Sequence, residues 1–108
     1  MNLLQKLSLL NQIPSLAVSV QARAMNTHES GILRIDDRIN GINLFCEGKV
    51  YIGETFSLRI DEFSVSFDMD CVYFFYRDGG HIETGNPIDA EFIEQLEDEV
   101  GEILKANN

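Results

Sequence analysis

Three groups of side chains have types and spacings that chemistry uses. Asp70, Cys71 and His81 supply an acid, a thiol and an imidazole, the ingredients of a nucleophilic triad. Neither Cys nor Ser stands in a nucleophile-elbow context, however, and the two ends of a hairpin need not converge, so the reading is not an enzyme. Asp68-Met69-Asp70 sets two carboxylates on one side of an extended segment, one ingredient of a hard-cation site. Calcium or magnesium needs further oxygen ligands at a defined spacing, and no EF-hand-like loop is present, so the pair reads as a turn and no metal or other cofactor is expected.

The third group is the most informative. Between Ile88 and Leu104 the chain carries seven carboxylates and no base. On a helical wheel of 100° per residue, Glu91, Glu94, Asp98 and Glu102 lie opposite an apolar stripe, with Glu97 and Glu99 flanking it. Opposite charges spaced i to i+4 would have stabilised such a helix, yet none is interleaved and Lys105 lies at its far end. Asp89 and Glu91 meet the positive end of the helix dipole favourably, whereas Glu99 and Glu102 near the negative end do not. Local stability therefore does not explain the composition. Blocks of like charge often mark interaction surfaces, and these four acids are the candidate partner-binding residues.

Charge over the whole chain points the same way. Eighteen acids against eight bases give −10, a field that repels phosphate backbones and anionic lipid heads. Direct binding of nucleic acid or membrane is not expected. The last twenty residues hold seven acids and one base, net −6, and residues 1–88 hold eleven and seven, net −4. A fifth of the chain thus carries over half of the charge.

These residues need elements to position them. A length of 108 residues makes one domain, 1–108, able to bury roughly two thirds of its unfolded surface. Leu3, Leu4, Leu7 and Leu10 recur at helical spacing and predict a short N-terminal helix ended by Pro14. Its interruptions by Ser8, Asn11 and Gln12 argue against a signal peptide, and no run approaches the ~18 apolar residues of a membrane span. A cytoplasmic protein is the expectation.

From Leu16 to Ala24 the period changes to two, that of a half-buried strand. Asn26 to Gly31 reads as a polar turn. Ile32 to Ile35 reads as a strand broken by Asp36-Asp37-Arg38. Residues 42–46 and 50–53 read as two strands joined by a tight turn at Glu47-Gly48-Lys49. Residues 56–60 and 63–67 read as two more, separated at Asp61-Glu62. Residues 71–76, Cys-Val-Tyr-Phe-Phe-Tyr, are apolar on both faces and suit a covered central strand. The Asp78-Gly79 pair favours a hairpin that returns through His81 to Thr84.

Pro87 and Asp89 start the last helix, with a stripe of Ile88, Phe92, Leu96, Val100 and Ile103 widened by Ile93 and Leu104. Gly101 falls on its outward side. Cys46 and Cys71, both inside apolar runs, are expected to be buried, reduced thiols.

The fold class is therefore α+β: a short N-terminal helix, a five- to seven-stranded mainly antiparallel meander, and an acidic amphipathic C-terminal helix packed on the sheet. The function that fits is a non-enzymatic acidic binding module that neutralises a basic protein partner, a toxin or effector domain such as a nuclease, as immunity proteins and antitoxins do. Charge steering makes such association fast, and no catalytic motif is needed. Two alternatives belong to other classes: a small dimeric secretion chaperone or adaptor that holds an extended segment of its partner, and an acidic phage counter-defence protein that mimics nucleic acid. The aromatic cluster Tyr73 to Tyr76 adds a homodimer surface if one sheet face stays open.

Overall fold

The computed structural model describes residues 18–25, 28–39 and 41–106, and the expected N-terminal helix lies outside them. Six strands follow one another in space as they do in sequence: β1 (Val18–Met25), β2 (His28–Ile39), β3 (Ile42–Ile52), β4 (Leu58–Phe67), β5 (Asp70–Tyr76) and β6 (Asn86–Pro87). Each of the first five pairs antiparallel with its neighbour, while β6 pairs parallel with β5. One helix, α1 (Ala90–Ala106), follows and packs against the sheet. The α+β class and the mainly antiparallel meander are as the alternation predicts.

Strand boundaries differ from those expected, each for a local reason. β2 is continuous through Asp36-Asp37-Arg38, because those residues pair with Phe45, Leu44 and Asn43; Asp36 and Arg38 reach water, while Asp37 accepts from the Arg38 amide at 2.7 Å and keeps its other carboxylate oxygen buried without a partner among the described residues. Of the polar turn expected over Asn26 to Gly31, residues 28–31 belong instead to β2, where His28 pairs with Met25 and Gly31 with Ala22, and residues 26–27 lie outside the described ones. β2 and β3 are joined by Asn40-Gly41 between the paired Ile39 and Ile42, and Gly41 adopts φ 80°, a conformation that glycine enters without penalty.

No turn forms at Glu47-Gly48-Lys49. The three residues lie mid-strand, and Gly48 sits opposite Phe63, whose ring occupies the space a side chain would need. A Cβ on Gly48 would stand 2.2 Å from the Glu62 carbonyl oxygen and 2.9 Å from the Phe63 ring. The glycine is there to admit a neighbour, as glycines inside strands often are.

The expected break at Asp61-Glu62 is a β-bulge. Val50 pairs with Ile60 and Lys49 with Glu62, which leaves Asp61 over. One extra residue shifts the side-chain alternation by one. Leu58 and Ile60 before the bulge, and Phe63 and Val65 after it, consequently face the same core although their spacing changes parity. A second irregularity, between Val65–Tyr73 and Ser66–Cys71, lets Val72 drop out of register. Phe56, placed in a strand by its alternation, instead lies in the loop between β3 and β4 with φ 58°, where its amide donates to the Gly53 carbonyl at 3.0 Å.

Past β5 the chain does not fold back through His81 to Thr84. It turns at Arg77-Asp78, with the Gly79 amide on the Tyr76 carbonyl at 3.2 Å, and returns parallel, so that Asn86 meets Tyr73 and Pro87 meets Phe74. The Ile88 amide then donates to the Phe74 carbonyl at 2.7 Å, and its side chain is buried beneath the start of α1. Asp89 caps α1, its carboxylate accepting from the Glu91 amide at 3.0 Å.

The core lies between the sheet and α1. Leu33 and Ile35 of β2, Leu44, Cys46 and Val50 of β3, Ile60, Phe63 and Val65 of β4, and Ile93, Leu96 and Val100 of α1 form one buried cluster. Each such side chain stabilises the fold by roughly 1.5–3 kcal/mol through apolar burial. The helix is rotated relative to the expected stripe: Ile93 rather than Phe92 is central, and Ile103 is exposed. Gly101, expected outward, is buried and faces the Phe56 carbonyl, 3.5 Å from where its Cβ would be.

Candidate functional site

Two surfaces of different electrical character, one acidic and one of paired charges, result from this layering. The first is the outer face of α1. Glu91, Glu94, Asp98 and Glu102 are all exposed there, together with Glu99. Among the described residues Glu91, Glu94 and Asp98 enter no ion pair, and Glu102 has only the exposed Lys105 at 3.6 Å. The structure thus presents the four predicted acids on one water-facing side.

Glu97 departs from its neighbours. Its side chain is only 17% exposed and is hydrogen-bonded to the Arg77 guanidinium. Arg77 Nε also donates to the Ile60 carbonyl at 3.0 Å, and its backbone amide donates to the carbonyl of the bulged Asp61 at 2.8 Å. One arginine in the turn after β5 therefore ties the bulge to the helix. Burial pushes the Glu97 carboxyl above its ordinary value, and the Arg77 charge works against that rise. Sequence reasoning placed Glu97 beside the apolar stripe but had no signal for Arg77, because the contact depends on a bulge and a turn twenty residues away.

The second surface is the sheet face turned away from α1. The register brings Arg34 opposite Glu47 and Lys49 opposite Glu62, and both pairs close, at 2.9 and 3.5 Å. Arg59 pairs with Asp61 at 2.9 Å. Ile32, Phe45 and Tyr51 are exposed on this face, and Phe74 and Tyr76 stack with ring centroids 6.4 Å apart. A groove of about 240 Å³ runs between the Glu47–Lys49 stretch and these two rings. Arg34, Lys49 and Arg59 are thus committed to sheet carboxylates and Arg77 to the helix seam, and among the described ion pairs the outer acids of α1 meet only Lys105.

The residues with catalytic or metal-binding types are not gathered. Asp70 and Cys71 begin β5 and His81 lies beyond its end, so the strand's length separates them. Asp68 is engaged structurally: its amide donates to the Asn43 carbonyl at 2.8 Å, and its carboxylate accepts from the Asn43 amide at 2.9 Å. Asp68 and Met69, at φ 52° and 75°, form the two-residue turn between β4 and β5. Among the described residues no three His, Cys, Asp or Glu side chains converge on a common point.

The cysteines differ from expectation in one case. Both are free, Cys46 is buried, and its thiol is pushed up to about 12 by desolvation. Cys71 is exposed, because the bulge at Val72 carries the start of β5 out of the core alternation.

No helix of the described residues is long and apolar enough to cross a membrane. No protein-family model, curated protein or solved structure matches the chain.

Proposed function

We propose that the chain is a non-enzymatic binding protein that neutralises a basic protein partner, in the manner of immunity proteins and antitoxins, and that α1 is its docking surface. The observation that carries this reading is the segregation of charge. Glu91, Glu94, Asp98 and Glu102 share a solvent-facing side with one base near its end, although seven further bases exist in the chain. An arrangement that lowers helix stability and concentrates negative potential has a use in steering a positively charged partner. A rigid sheet behind the helix, fastened by the Arg77–Glu97 contact, holds that potential in one place. The setting proposed for this activity is the cytoplasm.

The test begins with the product of a neighbouring gene that encodes a basic, nuclease-like or effector-like domain. Co-expression should relieve its toxicity, and the purified pair should associate. Replacing Glu91, Glu94, Asp98 and Glu102 together by Gln should leave folding intact or slightly improved, since like-charge repulsion is relieved. Binding should weaken by on the order of 10- to 1,000-fold. A folded quadruple variant with unchanged affinity and unchanged salt dependence would reduce this helix face to a solvated surface.

A second reading has its own observation. Among the described residues β1 is an edge strand, paired on one side by β2, a position at which a further strand can add. That suits an adaptor holding an extended segment of a partner. Binding of this kind would survive high salt, whereas charge-steered binding would not.

A further inference from the structure

We infer that a cleft at the end of β5, walled by the stacked Phe74 and Tyr76 and by the loop from Gly80 to Gly85, binds a guanidinium group, the side chain of an arginine carried by another molecule. The inference does not rest on the role given to α1. Tyr73 and Phe75 pack against the core beneath that helix, so the alternation of the strand turns Phe74 and Tyr76 to the opposite face.

The chain builds the cleft by fastening a loop at both ends. The Gly79 amide donates to the Tyr76 carbonyl at 3.2 Å, and the Ile88 amide to the Phe74 carbonyl at 2.7 Å. Two glycines then bring the backbone onto the rings, whose centroids are 6.4 Å apart and whose planes are 14° from parallel. A Cβ on Gly80 would stand 2.8 Å from Tyr76 Cγ, and one on Gly85, at φ 88°, would stand 3.0 Å from Phe74 Cε2. Between these two contacts His81, Ile82, Glu83 and Thr84 bow away and leave a cleft of about 420 Å³ against the rings. That volume lies within the ~300–1,000 Å³ of ligand sites, and the walls are already in place.

The side chains around it select the guest. Among the described residues His81, Glu83 and Thr84 enter no hydrogen bond or ion pair. Glu47 and Glu62, in the neighbouring groove along the same rings, are already paired with Arg34 and Lys49. The uncompensated charge is therefore that of Glu83. Aromatic faces attract cations, and a carboxylate beside them adds a charge-assisted hydrogen bond. The net charge of −10 repels phosphates and carboxylates. A neutral aromatic guest would use the rings and leave Glu83 unanswered. A guanidinium uses both, because it stacks flat on a ring while its N–H groups reach sideways to an acceptor. An ammonium is more strongly hydrated and stacks less well. The cleft is larger than a guanidinium alone, so the apolar stem of an arginine can lie along the half-buried Ile82. His81, Glu83 and Thr84 are exposed at the mouth, which lets a side chain enter while its own backbone stays in water.

The experiment is a chemical-shift titration of the isotope-labelled full chain at physiological salt with N-acetylarginine N-methylamide, run beside its neutral isostere N-acetylcitrulline N-methylamide. The arginine compound should give saturable shifts at residues 74–76 and 80–85 and bind about 10-fold more tightly than the isostere, the size expected of a cation set against a ring and a carboxylate. Glu83→Gln and Tyr76→Leu should each weaken it by roughly 3- to 10-fold. Should Tyr76→Leu fail to fold, Glu83→Gln, an exchange at an exposed loop position, decides alone. Ethylguanidine, the same head group without a peptide, should bind more weakly. Absence of saturable shifts overturns the inference, as does equal binding of the citrulline compound. Shifts confined to residues 91–102, or unaffected by Glu83→Gln, also overturn it by placing the cation on another surface. Tighter binding of ethylguanidine than of the arginine compound does the same, because the guest would then be a free small cation.

Discussion

At the scale of single residues, the side chain with the most consequence per atom is Arg77. It bridges the Ile60 carbonyl and the Glu97 carboxylate, and so joins β4 to α1 where the bulge would otherwise leave a backbone carbonyl facing a charged helix. Glu97 holds its proton more tightly in the folded protein than in the unfolded chain, because burial disfavours its charge more than Arg77 favours it. Its contribution to stability is therefore greatest below the unfolded value of about 4.3 and diminishes as pH rises through the folded one. Removing the guanidinium by Arg77→Met should push the Glu97 carboxyl higher still, and the variant should lose more stability at neutral pH than at pH near 4. Carboxyl chemical shifts followed through a titration, with denaturant melts at both pH values, measure each effect. An unchanged Glu97 titration would show that the guanidinium is too well screened to act on it.

At the scale of elements, Gly48 and Asp61 decide how far the strands run. Adding a methyl group at Gly48 forces it against the Glu62 carbonyl and the Phe63 ring, and backbone is slow to yield. Gly48→Ala should cost about 1–3 kcal/mol, read as a lower denaturant midpoint with an unchanged slope. Loss of less than about 0.5 kcal/mol, the range of ordinary surface exchanges, would mean that β3 and β4 part easily there. The same two positions explain what was legible beforehand. Period-two alternation located the strands, and Pro87 with Asp89 located the start of α1, because these signals are local. A shift in alternation between Ile60 and Phe63 has two local solutions, a turn or a bulge, and only pairing with Lys49 and Val50 chooses between them. A turn expected at Glu47-Gly48-Lys49 falls instead earlier in the chain, at Gly41, because β2 pairs with β3 as far as Ile39 and Ile42. The outward acids of α1 were legible because helical phase alone places them. The neutral, ion-paired sheet face was not, since it exists only once the register sets Arg34 against Glu47.

At the scale of the whole molecule, the question is whether total charge or its placement matters, and the two can be separated. The quadruple exchange of Glu91, Glu94, Asp98 and Glu102 to Gln raises net charge by four. Exchange of Asp36, Glu47, Glu62 and Asp70 to Gln or Asn raises it by the same four, three of them on the sheet face turned away from α1 and one at the start of β5. If long-range attraction by net charge governs encounter with a basic partner, both variants lose association rate equally. If the local potential over α1 governs it, the helix variant loses far more, because at physiological salt the screening length is about 8 Å, shorter than the 22 Å thickness of the molecule. Charges on the far side are then largely invisible to a partner approaching the helix. Stopped-flow association at low and physiological salt should show the two variants converging as salt is removed and the screening length grows toward 30 Å near 0.01 M. Equal rates at physiological salt would assign the acidity of this chain to solubility, and its helix to the surface that merely holds it.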